Sequence, residues 1–411
     1  MSIESTVVII GAGHAGGTAA AQLRDQGHQG PIILLGDEPG LPYQRPPLSK
    51  AFLKGTADAD SLLLRTAAYY EEKGIEVRTG QSVTAIEREA RKVVLASGAK
   101  LTYDFLILAM GASARKLAVP GAGLDNILSL RDAADAERLK AALLPGRHLA
   151  VVGGGYVGLE VAASARALGL EVTVLEREER LLARVASAPL AEHFERCHEQ
   201  QGVRIIRNAR LSHFEGERAV SALAMEDGSR IACDVVLVGV GAVPRDELAR
   251  AAGLVCENGV VVDEHARTSD PAIFAIGDLS WRPMPVYGER MCRLESVPNA
   301  LEQARQAACA IVGKDRPDSE VPWFWSEQYD VKLQIAGLPF DADRQVVRGD
   351  PELGKFAVYH LCGDRVVAVE AVNSPLDFIA GKQFIASGTP VCAERLADPA
   401  CKAKEAVLVA A

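Results

Sequence analysis

Cysteine is missing from the first 196 residues, and the eight cysteines that follow, from Cys197 to Cys401, never come within five positions of one another. No CxxC or CxxxxC pair is available for disulfide exchange, and no Cys/His spacing suits a metal, so these read as reduced core or surface thiols. Aromatic residues are scarce at 5%. No stretch approaches the apolar length of a membrane span, and the opening MSIESTVVIIGAG carries no basic leader region. Cytoplasmic residence is the expectation. Positive charge is in deficit, with 45 Lys+Arg against 54 Asp+Glu and no basic cluster. A nucleic-acid partner is therefore not expected.

Glycine, by contrast, is plentiful at 37 residues in a chain of 411. That length calls for two or three domains. The apolar run Thr6–Ile10 enters Gly11-Ala-Gly13-His14-Ala15-Gly16, then an Ala-rich helical stretch, then a second apolar run, Pro31–Leu35, followed by Asp37. Strand, GxGxxG turn, helix, strand and acid form a dinucleotide fingerprint. The first glycine allows the turn, the second lets backbone approach a pyrophosphate, and the third lets helix and strand pack. The helix N-terminus offers free N–H groups to the phosphates. The pattern recurs: His148–Val152 enters Gly153-Gly-Gly155-Tyr156-Val157-Gly158, and Glu171–Leu175 leads into Glu176.

The repetition extends further. GAKLTYDFLILAMGASAR (98–115) aligns without gaps to GSRIACDVVLVGVGAVPR (228–245), an offset of 130 against 142 for the fingerprints. The first unit thus holds about twelve extra residues, most of them after Asp37, in the region of LPYQRPPLSK (41–50). That segment is stiffened by three prolines and carries Arg45 and Lys50, more than a mere connection needs. After the second unit, TSDPAIFAIGD (268–278) reads as a turn, an apolar strand and Gly277-Asp278, an acid suited to a ribityl hydroxyl or to a helix N-cap.

Together GAGHAG, PYQRPPLSK, LILAMGA, GGGYVGLE, GVGAVP and IFAIGD resemble the two-dinucleotide flavoprotein reductases. Within them the chain most resembles the NADH-dependent ferredoxin reductases of bacterial oxygenase and cytochrome P450 systems. The resemblance covers essentially the whole chain, including PWFWSEQYDVKLQIAGL (322–338), which looks like the start of that group's C-terminal domain. The mitochondrial apoptosis-inducing flavoprotein shares the RPPLSK loop but differs C-terminally.

The resemblance implies an α/β fold with two Rossmann-like, glutathione reductase-like domains and a C-terminal α+β domain. The implied boundaries are 1–113 with 246–321 for FAD, 114–245 for NADH and 322–411 for the last domain. FAD would be held by Gly11, Gly13, His14, Ala15, Gly16, Asp37, Arg45, Pro46, Lys50, Val83, Ala109, Gly111, Arg115, Gly277, Asp278, Val297 and Trp325. Arg45 would reach the phosphates with its planar fork. Val297 would face the pyrimidine end of the flavin, ahead of a helix expected over 300–312 and closed by Gly313. NADH would be held by Gly153, Gly155, Tyr156, Val157, Gly158, Glu176 and Gly241, with Glu176 favouring NADH over NADPH. Arg177, Arg180 and Arg184 could soften that preference. Lys50 and Glu160 are the implied catalytic pair. Trp325 fits electron exit or a core aromatic at a domain interface. Arg305 is the candidate for docking a [2Fe–2S] ferredoxin, because residues 322–411 are net acidic, with 9 Lys+Arg against 12 Asp+Glu. No metal-ligand set is expected, and the protein is expected as a monomer or weak dimer.

Two positions depart from the family pattern. Met110 stands where threonine is usual, and Arg245 where asparagine is usual; the latter points to a change at the hinge or the nicotinamide mouth. The implied activity is hydride transfer from NADH to the flavin and one-electron delivery to the ferredoxin. In relatives with disulfide or peroxide chemistry the reactive cysteine lies in the first domain, and this chain has no cysteine before Cys197. Rubredoxin reductase, NADH oxidase and a redox-sensing flavoprotein remain as alternatives.

Overall fold

The computed structural model describes residues 3–408. By contact the chain divides into two compact units, Met1–Gln44 with Ala59–Ser113 and Val243–Pro322, and Arg45–Asp58 with Ala114–Ala242 and Trp323–Ala411. The inserted segment from Arg45 onward thus packs in the second unit, whereas the boundaries drawn from the sequence put it in the first.

The first unit is built on a five-stranded parallel sheet in the order Ile273–Ala275, Phe105–Leu108, Val7–Ile10, Ile32–Leu35, Ile75–Arg78. Both faces are covered, so all but the edge strand Ile75–Arg78 are unbroken apolar runs rather than alternating ones. Val7 and Ile9 join one core with the helices His14–Asp25 and Val297–Val312, while Val8 and Ile10 join the opposite core. The latter helix begins at Val297, three residues before the position read from the sequence, because Ser296 caps it by accepting from Asn299 N–H at 3.3 Å and Pro298 suits its first turn.

The second unit repeats the order of four strands, read from the other edge as Val203–Ile206, Glu171–Leu175, His148–Val152 and Val235–Val238, and adds Ile127–Leu128, which precedes its fingerprint in the chain; all are again parallel. The two halves correspond residue for residue over long stretches. The helices His14–Asp25 and Tyr156–Ala167 keep the offset of 142, and the strands Lys92–Leu95, Lys100–Thr102 and Phe105–Leu108 map onto Ala222–Met225, Arg230–Ala232 and Val235–Val238 at 130. The insertion lies between the second and third strands, where 39 residues separate Leu35 from Ile75 but 27 separate Leu175 from Val203.

The same unit includes a five-stranded antiparallel sheet, in the order Trp323–Gln328, Val331–Gly337, Arg365–Val372, Lys355–Cys362, Arg344–Asp350, with the helix Pro375–Ser387 against it. Gly381 permits that close packing, since a Cβ there would lie 2.3 Å from Val369 Cγ1. Among the described residues no helix is long and apolar enough to cross a membrane, and no group of His, Cys, Asp or Glu is placed to hold a metal ion.

Candidate active site

Each glycine turn is shaped by the same steric demand. Gly11 and Gly153 both adopt φ +108°, and a Cβ on them would come within 2.3 Å of Ala109 O and 2.4 Å of Gly239 O. The last glycine of each motif lets the helix press on the turn, for a Cβ on Gly16 or Gly158 would lie 1.8 or 2.5 Å from the carbonyl of Gly11 or Gly153. Gly155, in contrast, faces open space. Both following helices start without a side-chain cap, at Gly13 and Gly155, and neither has an acid in its first turn. Uncapped N–H groups, a positive dipole end and room beside the turn fit an anionic pyrophosphate, so both turns suit a dinucleotide.

In the first unit, His14 and Ala15 open the helix and Ala109 N–H donates to Ile10 O at 2.7 Å. Gly111 takes φ +66°, Met110 packs into the core, and Val83 begins an outer strand. Asp278 lies inside the 3₁₀ turn Gly277–Leu279, not at a helix cap. Gln303 on the Val297–Val312 helix, itself buried, holds this turn by accepting from Gly277 N–H and Ser280 Oγ, each at 2.8 Å, while its own Nε2 is buried with no partner. That orphaned donor beside Gly277-Asp278 fits a polar ligand. Beneath it, Arg282 pairs with Glu302 at 3.0 Å and donates to Asn299 Oδ1 at 2.9 Å, all three residues buried. Arg305, on the same helix, is half-buried, with Nε out of solvent. Arg245, just after the chain re-enters the first unit at Val243, pairs its guanidinium with Asp37 at 3.0 Å, at the acid of the first fingerprint.

In the second unit, Glu176 uses its carboxylate on the turn itself, accepting from Gly154 N–H at 2.8 Å and Glu178 N–H at 2.9 Å. Arg180 is committed to the carbonyls of Ala183 and Ala186, Arg177 to Glu178, and Arg184 is exposed. Tyr156 packs its ring 4.8 Å from that of Phe324, and burial pushes its phenol well above the usual range. Val157 is exposed, and Arg115 N–H donates to Gly241 O at 2.9 Å.

The inserted segment folds against this unit. Pro46–Ser49 is a 3₁₀ turn, since two prolines preset φ and give up no N–H that the turn needs. Arg45 donates to Arg131 O at 2.7 Å. Lys50 Nζ lies 2.6 Å from Glu160 Oε2, and Ser49 Oγ donates to the same oxygen at 2.6 Å. Glu160, one turn into the Tyr156–Ala167 helix and 7% exposed, also accepts from Ser326 Oγ at 2.7 Å on its other oxygen. A buried carboxylate with a cation and two hydroxyls is fully served. Trp325, next to Ser326, points to the opposite face of the strand and lies 5.6 Å from the ring of Trp323.

Sequence reasoning missed Ser49, Ser326, Gln303 and the residues behind Ser326. The available signal was the alternation Phe324, Ser326, Gln328 in WFWSEQ, which puts two polar groups on a buried face.

Residues 5–304 match the pyridine nucleotide-disulphide oxidoreductase family and residues 323–407 the reductase C-terminal family. The chain is 51% identical over 400 residues to the probable ferredoxin reductase CtmF of Castellaniella defragrans, covering 97% of this chain and 98% of that protein. It is 41% identical to the ferredoxin–NAD(+) reductase component of the biphenyl dioxygenase system of Paraburkholderia xenovorans, covering 96% of each. Its structure is similar to the reductase in the covalent putidaredoxin reductase–putidaredoxin complex, with TM-score 0.95, 43% identity and coverage of 98% of this chain and 97% of that one. Two glycine turns on two like sheets, a glycine-packed C-terminal sheet and this similarity over the full length establish that the chain belongs to the pyridine nucleotide-disulphide oxidoreductases, in the group of FAD- and NAD(H)-dependent ferredoxin reductases.

Proposed function

We propose that the protein takes electrons from NADH and passes them to a [2Fe–2S] ferredoxin that feeds a cytochrome P450 or Rieske oxygenase. It would work in the cytoplasm as a monomer or weak dimer. The observation that carries the reading is the pair of half-buried Lys50 with buried Glu160, which ties the segment inserted after the first fingerprint to the helix of the second. FAD, when bound, accepts a hydride and releases electrons singly, and the protein's part is binding, orientation and electrostatics.

Gly11, Gly13, His14, Ala15 and Gly16 would hold the FAD pyrophosphate, with Asp37, Arg45, Pro46, Val83, Ala109, Gly111, Arg115, Gly277, Asp278, Val297 and Trp325 along the rest of the cofactor. Gly153, Gly155, Tyr156, Val157, Gly158 and Gly241 would hold NADH. Glu176 would select it: a carboxylate pinned by two backbone donors repels a 2′-phosphate, and Arg180 is occupied with carbonyls. Lys50 would put a positive charge beside the flavin, with Glu160 fixing where that charge sits. Arg305 would contact the acidic ferredoxin. The domain reading that goes with these roles is FAD 1–113 with 246–321, NADH 114–245 and C-terminal 322–411.

The test is anaerobic, NADH-driven reduction of a [2Fe–2S] ferredoxin, with a rubredoxin beside it. Fast reduction of the ferredoxin alone supports the reading. Preference for the rubredoxin moves the assignment to that carrier. If the flavin takes hydride but neither carrier is reduced, the acceptor assignment falls.

A further inference from the structure

Behind Glu160 the second unit contains a line of hydrogen bonds that the roles above do not use. Phe324, Ser326 and Gln328 share one face of their strand, and that strand packs on the Tyr156–Ala167 helix. Ser326 Oγ donates to Glu160 Oε1 at 2.7 Å, Gln328 Nε2 donates to Ser326 Oγ at 3.2 Å, and Gln328 Oε1 lies 2.8 Å from His198 Nε2. Tyr329 OH lies 3.1 Å from His198 Nδ1. Ser326, Gln328 and His198 are at most 1% exposed.

The proton positions follow from the carboxylate. Ionised, it can only accept, so the single Ser326 proton is committed to it. Ser326 must then accept from the amide of Gln328, which turns Gln328 Oε1 toward His198. His198 therefore carries its proton on Nε2 and takes the Tyr329 proton at Nδ1. Each donor points toward Glu160, and such aligned chains polarise one another in a poorly solvated interior. Burial also lowers the His198 pKa to about 4, consistent with a neutral ring.

We propose that Ser326, backed by Gln328, His198 and Tyr329, is a positioning residue for the reductase reaction. It clamps Glu160 and, through it, the Lys50 ammonium. The C-terminal domain thereby contributes to the site by orienting the pair. Only the link from the clamp to turnover rests on the reductase reading; the clamp itself is a statement about Lys50 and Glu160.

The experiment compares Ser326→Ala, Ser326→Thr and Gln328→Leu holoenzymes with the wild type. One arm measures acetylation of Lys50 by acetic anhydride, read by peptide mass spectrometry against the exposed Lys54 as internal reference. The other measures kcat and KM for NADH with ferricyanide as acceptor. Losing a hydrogen bond to a charged group is worth about ten-fold here, so Ser326→Ala should raise the Lys50 rate about ten-fold and lower kcat about ten-fold. KM for NADH should change less than about two-fold, because the clamp acts on the reacting centre and not on uniform binding. Ser326→Thr, which keeps the hydroxyl, should restore both, and Gln328→Leu should move both in the same direction by less. Wild-type Lys50 reactivity and kcat in Ser326→Ala would overturn the proposal. If that variant does not fold, unchanged Lys50 reactivity in Gln328→Leu overturns it. A wild type that cannot oxidise NADH would sink the reductase reading instead, while the acetylation arm still decides the clamp.

Discussion

Acid should loosen the second unit through His198. The ring is fully buried, with Gln328 Oε1 accepting from one nitrogen and Tyr329 donating to the other. Its pKa in the folded chain falls from 6.5 to about 4, chiefly through desolvation. Between those values the unfolded chain binds a proton that the folded chain does not. Stability is therefore complete above about pH 6.5, declines as the pH falls, and has lost this contribution by about pH 4. The difference of about 2.5 units corresponds to about 3 kcal/mol, with a slope of at most about 1.4 kcal/mol per pH unit. His193, in the same unit, is lowered in the same sense by burial, so the wild-type curve alone cannot isolate one ring. His198→Gln removes the titration and keeps an amide able to donate and accept. Urea unfolding followed by fluorescence of Trp323 and Trp325, both in this unit, supplies the stability at each pH. From pH 7 to pH 4 the wild type should lose about 3 kcal/mol more than the variant. Equal losses would refute the assignment of a neutral, buried His198.

Glu302→Ala should destabilise the first unit by about 3–5 kcal/mol in urea unfolding, because Arg282, 3% exposed, would keep a buried charge without its carboxylate. Gly16→Ala should yield protein with well under one FAD per chain by absorbance, since its Cβ would lie 1.8 Å from Gly11 O and force helix and turn apart. Glu176→Ala frees the amide of Gly154 and removes the charge opposed to a 2′-phosphate. Its kcat/KM preference for NADH over NADPH should shrink by about ten-fold or more, measured with both nucleotides.

The sequence by itself determined the parts that depend on short-range pattern. Two GxGxxG turns between apolar runs dictate two parallel βαβ units, since only glycine suits φ +108° pressed against a neighbouring carbonyl at Gly11 and Gly153. The ungapped repeat at an offset of 130 located matching strands to the residue, and the offset difference located the insertion. The polar face of the strand at Ser326 was also present, in its period of two, though sequence reasoning missed it.

What those polar groups bond to was not. Ser326 meets Glu160 across 166 positions, and Arg245 meets Asp37 across 208. Such pairings follow from how whole sheets and helices stack, and no local spacing records it. The same holds for the segment from Arg45 to Asp58. Its prolines announce a stiff turn, but Ser49 and Lys50 bonding to Glu160 decide that it packs with the second fingerprint. A buried carboxylate takes whichever donors the fold brings within reach, so tertiary structure, by placing Glu160 out of water, selected its partners.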